Sequence, residues 1–271
     1  MRKIGSGHKS EVFVRDDGSI LKLFVPQFVA LAPVEAGISQ ALERACVVAP
    51  RVREIVTVDG RPGIVFGGLR AGMTLSQAVR SRPWTILRAA RDLAAVHAAV
   101  HRCESRELPP QWERVEREIR GAGAVSQAAR DAALALLASL PDGDAVCHND
   151  VHMLNVIVDA EGCMLIDWVL ATRGNPLSDV AAAILQLRFG ERATNPIAHA
   201  ALALGRAAFW RAYRRAYLRG QPGGADELAR WELPMAVAFA GRREGRMQQQ
   251  LLQRIDALMS SGPRRLQEVK T

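Results

Sequence analysis

Apolar residues fall in short runs over residues 1–70 and then recur three and four apart over most of the remaining chain. Val12–Val14 and Ile20–Phe24 flank Asp16-Asp17-Gly18-Ser19, and an Asp-Gly step between apolar runs predicts a hairpin. Glu35 to Ala45 has helical spacing, and Ile55–Val58 with Gly63–Phe66 flank a second turn at Asp59-Gly60-Arg61-Pro62. After Gly72 the period changes, and Trp84–Arg102, Gln111–Ile119 and Ser126–Leu140 read as amphipathic helices. A strand-like interruption follows: Ala145–His148, Asn155–Val158 and Cys163–Asp167, with Asp159-Ala160-Glu161-Gly162 as a turn. Helices resume near Leu177 and fill most of Ile197–Leu218 and Asp226–Ser260. The pattern predicts an α+β, two-lobed protein, with a small β-rich lobe over residues 1–70, a hinge near 67–72 and a large helical lobe over 73–271.

Composition narrows the class. At 49% hydrophobic and 24% charged over 271 residues, the chain is neither disordered nor low-complexity. Cys46, Cys103, Cys147 and Cys163 lie far apart without a Cys-x-x-Cys pair, which argues against a zinc site or a disulfide framework. No apolar run follows the basic start at Met1–Lys9, and none reaches the roughly 18 residues of a membrane span. The expectation is a soluble cytoplasmic protein with no membrane partner. The net charge of +8 is almost all arginine, since the lysines are Lys3, Lys9, Lys22 and Lys270. Those arginines are scattered along helical segments and aromatics are 5%, so the charge does not build a nucleic-acid interface.

The chemistry concentrates in one place. Cys147-His148-Asn149-Asp150-Val151-His152-Met153-Leu154-Asn155 is followed by Leu165-Ile166-Asp167-Trp168. Phosphoryl transfer needs a carboxylate to orient an attacking hydroxyl and take its proton, and oxygen ligands for magnesium on the nucleotide phosphates. Asp150 fits the first role; Asn155 and Asp167 fit the second. Asp and Asn are also common turn residues, but a set of this spacing between apolar strands is far more specific than turn chemistry.

This segment resembles the catalytic and metal-binding segments of the aminoglycoside-phosphotransferase-like kinases, a superfamily that includes choline kinases and shares the protein-kinase fold. Val151, Met153 and Leu154 stand where the usual pattern has Leu, Pro and Gly, between the chemical residues. Gly174-Asn175-Pro176-Leu177-Ser178-Asp179 resembles a further family motif, which implies that Asp179 buttresses the catalytic loop; a place in the first turn of a helix accounts for it equally well. The resemblance implies an ATP- and Mg²⁺-dependent transfer of the γ-phosphoryl group to a small-molecule hydroxyl. It implies that Gly5, Ser6 and Gly7 belong to a glycine-rich loop over the phosphates, with Ser10 in place of a third glycine. Lys22 is then the strand lysine on the phosphates, paired with Glu35, which opens its helix, or with Glu43. Gly67, Gly68 and Leu69 would meet the adenine edge. His97 and His101 have metal-pair spacing but no third ligand in the sequence, and read as packing or surface groups.

The acceptor is less legible. Between Ala181 and Ala225 lie seven arginines (188, 192, 206, 211, 214, 215 and 219) against the single acid Glu191. Such walls disfavour a polycation, so a neutral or anionic hydroxylated acceptor is expected, unless the arginines face solvent and Asp226, Glu227, Glu232 or Glu244 lines the pocket. The competing readings are a non-catalytic nucleotide-binding protein, which the intact Lys22, Asp150, Asn155 and Asp167 set disfavours, and a basic nucleic-acid binder, which would show salt-sensitive binding.

Overall fold

Asp59 and Gly60 both take positive φ, 50° and 74°, the two-residue turn whose twist suits a hairpin. It joins β4 (Arg51–Val58) to β5 (Arg61–Gly67), so Arg61 and Pro62 belong to the strand rather than to a longer turn. The computed structural model describes residues 1–7, 9–67, 72–189, 196–219, 221 and 223–260. β1 (Arg2–Ser6), β2 (Ser10–Val14) and β3 (Ile20–Phe24) complete an antiparallel sheet of order β1-β2-β3-β5-β4. Its core-facing residues, among them Leu21, Leu23, Ile64 and Val65, are almost fully buried, each aliphatic side chain worth roughly 1.5–3 kcal/mol.

α1 (Leu31–Arg44) lies against this sheet and corrects one expectation. It starts four residues before Glu35, because Pro33 sits in the first turn, where its missing N–H has no helical partner to lose. Glu35 is therefore one turn inside the helix, buried with Ala32, Ala36 and Ser39.

The remaining chain is helical around short strands. β6 (Met73–Thr74) and α2 (Leu75–Ser81) are elements that the apolar period did not reveal; Thr74 and Gln77 form a reciprocal cap at the start of α2. Gly72 lets the chain approach the next sheet, since a Cβ there would lie 2.6 Å from the Val158 carbonyl oxygen. α3 (Ile86–Val100), α4 (Gln111–Arg120) and α5 (Gln127–Leu137) precede β7 (Ala145–Cys147), β8 (Val156–Asp159), β9 (Gly162–Leu165) and β10 (Thr172–Gly174). β10 pairs with β7, and β6-β8-β9 form a second small sheet. Then come α6 (Pro176–Arg188), α7 (Pro196–Tyr217), α8 (Gly224–Arg242) and α9 (Gly245–Ser260). The apparent single helical stretch over 226–260 is broken where Arg243 is extended and Gly245 takes φ 62°. Leu93, Val146, Val180, Leu185, Phe239 and Ile255 are buried in one core that carries the β7–β9 loops on its surface. Among the described residues no helix is long and apolar enough to cross a membrane.

Candidate active site

The loop leaving β7 is fixed from below by one buried carboxylate. Asp179, in the first turn of α6, accepts the backbone amide of Asn149 on Oδ1 at 2.8 Å and that of His148 on Oδ2. His97, in α3, and His101, which caps its C-terminus, reach the same Oδ2 through Nε2 at 3.0 and 3.3 Å. Their Nδ1 atoms lie 2.6 Å from the hydroxyls of Tyr213 and Tyr217 on α7. Neutral imidazoles donating from Nε2 and accepting on Nδ1 satisfy every one of these contacts. Burial would raise the Asp179 carboxyl, but the histidines outweigh it and hold the group well below the usual carboxylate range. Burial pushes His101 down to about 4. The third partner absent from the sequence spacing is thus Asp179, and the trio is satisfied by hydrogen bonds.

These anchors set the loop geometry. Asn149 has φ 63°, a left-handed conformation that Asn tolerates better than most residues. Its side chain donates to Cys147 O, Leu170 O and Thr172 Oγ1 and accepts from Gln111. The His148 ring packs tilted against Trp168, with ring centroids 4.4 Å apart, and lies 3.0 Å from the Ile166 carbonyl through Nε2.

Asp150 follows, four-fifths buried. Asn155 donates from Nδ2 to the Asp150 carbonyl at 3.0 Å and to Oδ2 at 3.3 Å. Arg243 donates from Nη2 to Asp150 Oδ1 at 3.3 Å and to Gln186 at 3.0 Å. His152 Nε2 lies 3.7 Å from Asp150 Oδ2. The Ile166 amide donates to the Asn155 carbonyl at 3.0 Å, which places Asp167 one residue beyond Asn155's partner in the hairpin.

Lys22 joins the two parts of the molecule. Its Nζ lies 2.8 Å from both carboxylate oxygens of Glu35 and 2.8 Å from Asp167 Oδ1. Burial would lower the Lys22 ammonium, but the two carboxylates outweigh it and raise it above its ordinary value. Burial would raise Asp167, but Lys22 outweighs it and keeps the carboxyl below the usual range. Glu43 is exposed and faces Arg51, so Glu35 is the partner.

Gly5 and Ser6 are the last residues but one and last of β1, opposite Val12 and Glu11, and the Gly7 amide donates to Ser10 O at 2.8 Å. A Cβ at Gly5 or Gly7 would find only ordinary contacts, at 3.8 and 3.7 Å, so the fold itself does not require glycine there. Gly67 ends β5; Gly68 and Leu69 lie outside the described residues.

The structure therefore brings Lys22, Glu35 and Asp167 together, and Asp150 with Asn155. Sequence reasoning missed Arg243 and its neighbours Arg242, Arg114 and Gln186. The one signal was Gly241-Arg242-Arg243-Glu244-Gly245, two glycines bracketing charge inside a helical period. Of the arginines counted between Ala181 and Ala225, Arg211, Arg215 and Arg219 are exposed, while Arg188, Arg206 and Arg214 are half-buried.

A small twisted sheet with a buried lysine–glutamate pair, set on a helical part carrying a strand-loop-strand insert, is the two-lobed, protein-kinase-like architecture. The chain belongs to the phosphotransferase enzyme family, whose model matches residues 1–222. Its fold is similar to a thermostable mutant of aminoglycoside phosphotransferase APH(4)-Ia, at 16% identity, TM-score 0.63, covering 96% of this chain and 94% of that one. It is likewise similar to amicoumacin kinase hAmiN (11% identity, TM-score 0.63, 96% and 88% covered). Choline kinase from Cryptosporidium parvum Iowa II follows the same fold (12% identity, TM-score 0.53, 96% and 87% covered). No curated protein matches the chain in sequence.

Proposed function

We propose that this phosphotransferase moves the γ-phosphoryl group of ATP to a hydroxyl of a small molecule. The observation that carries the reading is Lys22, held 2.8 Å from both Glu35 and Asp167. A lysine on the small sheet, held by a helix glutamate and by the carboxylate that follows the strand-loop-strand insert, is the arrangement that sets an ammonium against nucleotide phosphates. The glycines at 5 and 7, which the fold does not need, present no Cβ that would hold phosphates away from the backbone. The related structures agree with nucleotide use: the amicoumacin kinase holds AMP-PNP and Ca²⁺, and aminoglycoside phosphotransferase APH(2'')-Ib is ADP-bound.

Asn155 and Asp167 offer an amide and a carboxylate oxygen, hard donors of the kind magnesium takes, and Lys22 keeps Asp167 ionised. They would hold Mg²⁺, which when bound neutralises charge on the nucleotide phosphates. Asp150 orients the acceptor hydroxyl and accepts its proton as the oxygen–phosphorus bond forms and ADP departs. Asn155 Nδ2 fixes the Asp150 carboxylate for that task, and Asp179 fixes the backbone that presents it. The residues 1–70 act as the nucleotide lobe, residues 73–271 as the catalytic and acceptor lobe, and Gly67–Leu69 border the adenine.

Calorimetry with a non-hydrolysable ATP analogue, with and without Mg²⁺, tests this. The wild-type chain should bind the analogue more tightly with Mg²⁺, and Asp167→Ala should lose that difference. Equal affinity in both conditions for the wild type would remove the assignment of Asn155 and Asp167.

A further inference from the structure

Among the described residues, six buried side-chain polar atoms make no hydrogen bond, and five of them stand in one group: Arg114 Nη2, Gln186 Nε2, Arg242 Nη2, Arg243 Nε, and Arg242 Nε, which faces Glu118 Oε2 at 3.3 Å without hydrogen-bond geometry. All five are N–H donors. Native interiors leave few such atoms, so a cluster of one polarity calls for a partner that only accepts. Arg242 ends α8, Arg243 occupies the break before α9, and both guanidiniums pack on the Phe239 ring. Glu118 meets Arg114 at 2.9 Å and Arg242 at 3.3 Å, while Arg243 meets Asp150 at 3.3 Å.

Three guanidiniums thus face two carboxylates, Glu118 and Asp150, and the second is needed for the acceptor hydroxyl. Burial lowers Arg242 to about 10, against the pull of Glu118, and Arg114 and Arg243 lower it further. The group is under-neutralised as it stands. A bound oxyanion would supply acceptors to the unused donors and the missing negative charge, and guanidinium presents paired donors that match it. A cationic acceptor would instead bring positive charge against Arg243, beside the carboxylate it must reach.

Resting on the phosphotransferase reading above, we propose that the acceptor is itself an anion, carrying a carboxylate or phosphate ester near the hydroxyl that is phosphorylated. Arg243, with Arg242 behind it, holds that oxyanion while Asp150 holds the hydroxyl. Arg243 is a specificity-determining residue, and its 3.3 Å approach to Asp150 requires the two groups on the acceptor to be close neighbours.

The test is a panel of short polyhydroxylated compounds in matched charge classes: hydroxy acids such as gluconate, sugar phosphates, neutral carboxamides and polyols, and amino alcohols with aminoglycosides. ADP formation from MgATP is measured, and thermal stabilisation is recorded with each compound in the absence of nucleotide. Turnover and stabilisation should centre on the oxyanion classes, and the acid and phosphate arms show which oxyanion is preferred. Arg243→Gln should raise KM for the accepted anion by about 10–100-fold, the worth of one charged hydrogen-bonding group, with KM for MgATP unchanged. Arg243→Lys should recover part of it. A preferred acceptor that is neutral or cationic, an unchanged KM in Arg243→Gln, or no stabilisation by any anion would overturn the proposal. If Arg243→Gln does not fold, the charge ranking of the wild type decides. Failure of the phosphotransferase reading shows separately, as loss of wild-type binding to the ATP analogue, because anion stabilisation is read without nucleotide.

Discussion

Asp179 Oδ1 accepts the backbone amide of Asn149 at 2.8 Å while Asn149 holds φ 63°. A carboxylate outside the acceptor's reach thereby dictates the backbone immediately before Asp150. Four hydrogen bonds converge on Asp179: two from the loop amides and two from His97 and His101. Left-handed residues cost on the order of 1–3 kcal/mol and persist where the surroundings over-determine them. That is the arrangement here.

Asp179→Asn keeps the size of the side chain and removes its charge. One of its two polar atoms becomes a donor facing donors, and at least one loop amide or imidazole loses its acceptor. Stability should fall by about 3 kcal/mol or more, given the cost of stranding groups on a buried charge. Denaturant melts check the stability, and turnover should fall with KM for ATP unchanged. A variant as stable and as active as the parent would show that the network is dispensable.

Acid should weaken the same network, and the sign follows from His101. Its folded value of about 4 lies below the ordinary 6.5, so between those values the unfolded chain binds the proton and the folded chain does not. Stability therefore declines as pH falls from about 6.5 to 4, by on the order of 3 kcal/mol from this residue. His148, also pushed down by burial, adds in the same direction. Asp179, held low, adds a further loss only below about pH 4, where the unfolded chain's carboxyl takes up a proton that the folded one does not. Urea midpoints across this range check the slope, which His101→Gln should flatten. An unchanged slope in that variant would assign the acid sensitivity elsewhere.

The chemical residues were legible because they sit at element edges that a local pattern defines. Lys22 interrupts an apolar strand, and Asp150, Asn155 and Asp167 punctuate short strands at fixed spacing. Glu35 was legible as a helix residue, while its depth was not, since Pro33 begins the helix earlier than apolar spacing shows. β6 and β10 have two and three residues, too few for alternation to register. Arg243 was illegible for another reason. Its place beside Asp150 depends on a helix break and on the packing of α8 against α6, relations between distant segments that no window of sequence contains.

Lys22→Ala separates two jobs of one residue. Glu35 is 3% exposed, and removing its cation leaves a buried carboxylate without a partner. Breaking such a pair costs about 3–5 kcal/mol, so the variant should melt earlier. Its KM for MgATP should rise by about 10–100-fold if the ammonium also meets phosphate. The Lys22→Ala, Glu35→Gln double variant should regain much of the stability and none of the nucleotide affinity. Recovery of both would make Lys22 a structural ion pair alone.

Asp150→Asn isolates the base. The substitution keeps an oxygen near Arg243 and preserves the loop fixed by Asp179, but an amide cannot take the hydroxyl proton. Lys22 and Asp167, proposed to meet the nucleotide and its metal, are untouched, and Asn155 keeps its bond to the carbonyl of residue 150. Affinity for a MgATP analogue should therefore stay near the parent's, while turnover of any accepted substrate falls by about 10²–10⁴, the usual worth of a positioned base. The two measurements pull apart the proposed roles: a joint loss of binding and turnover would place Asp150 in the nucleotide site. Unchanged turnover would leave it a loop residue held by Asn155 and Arg243, with the proton going elsewhere.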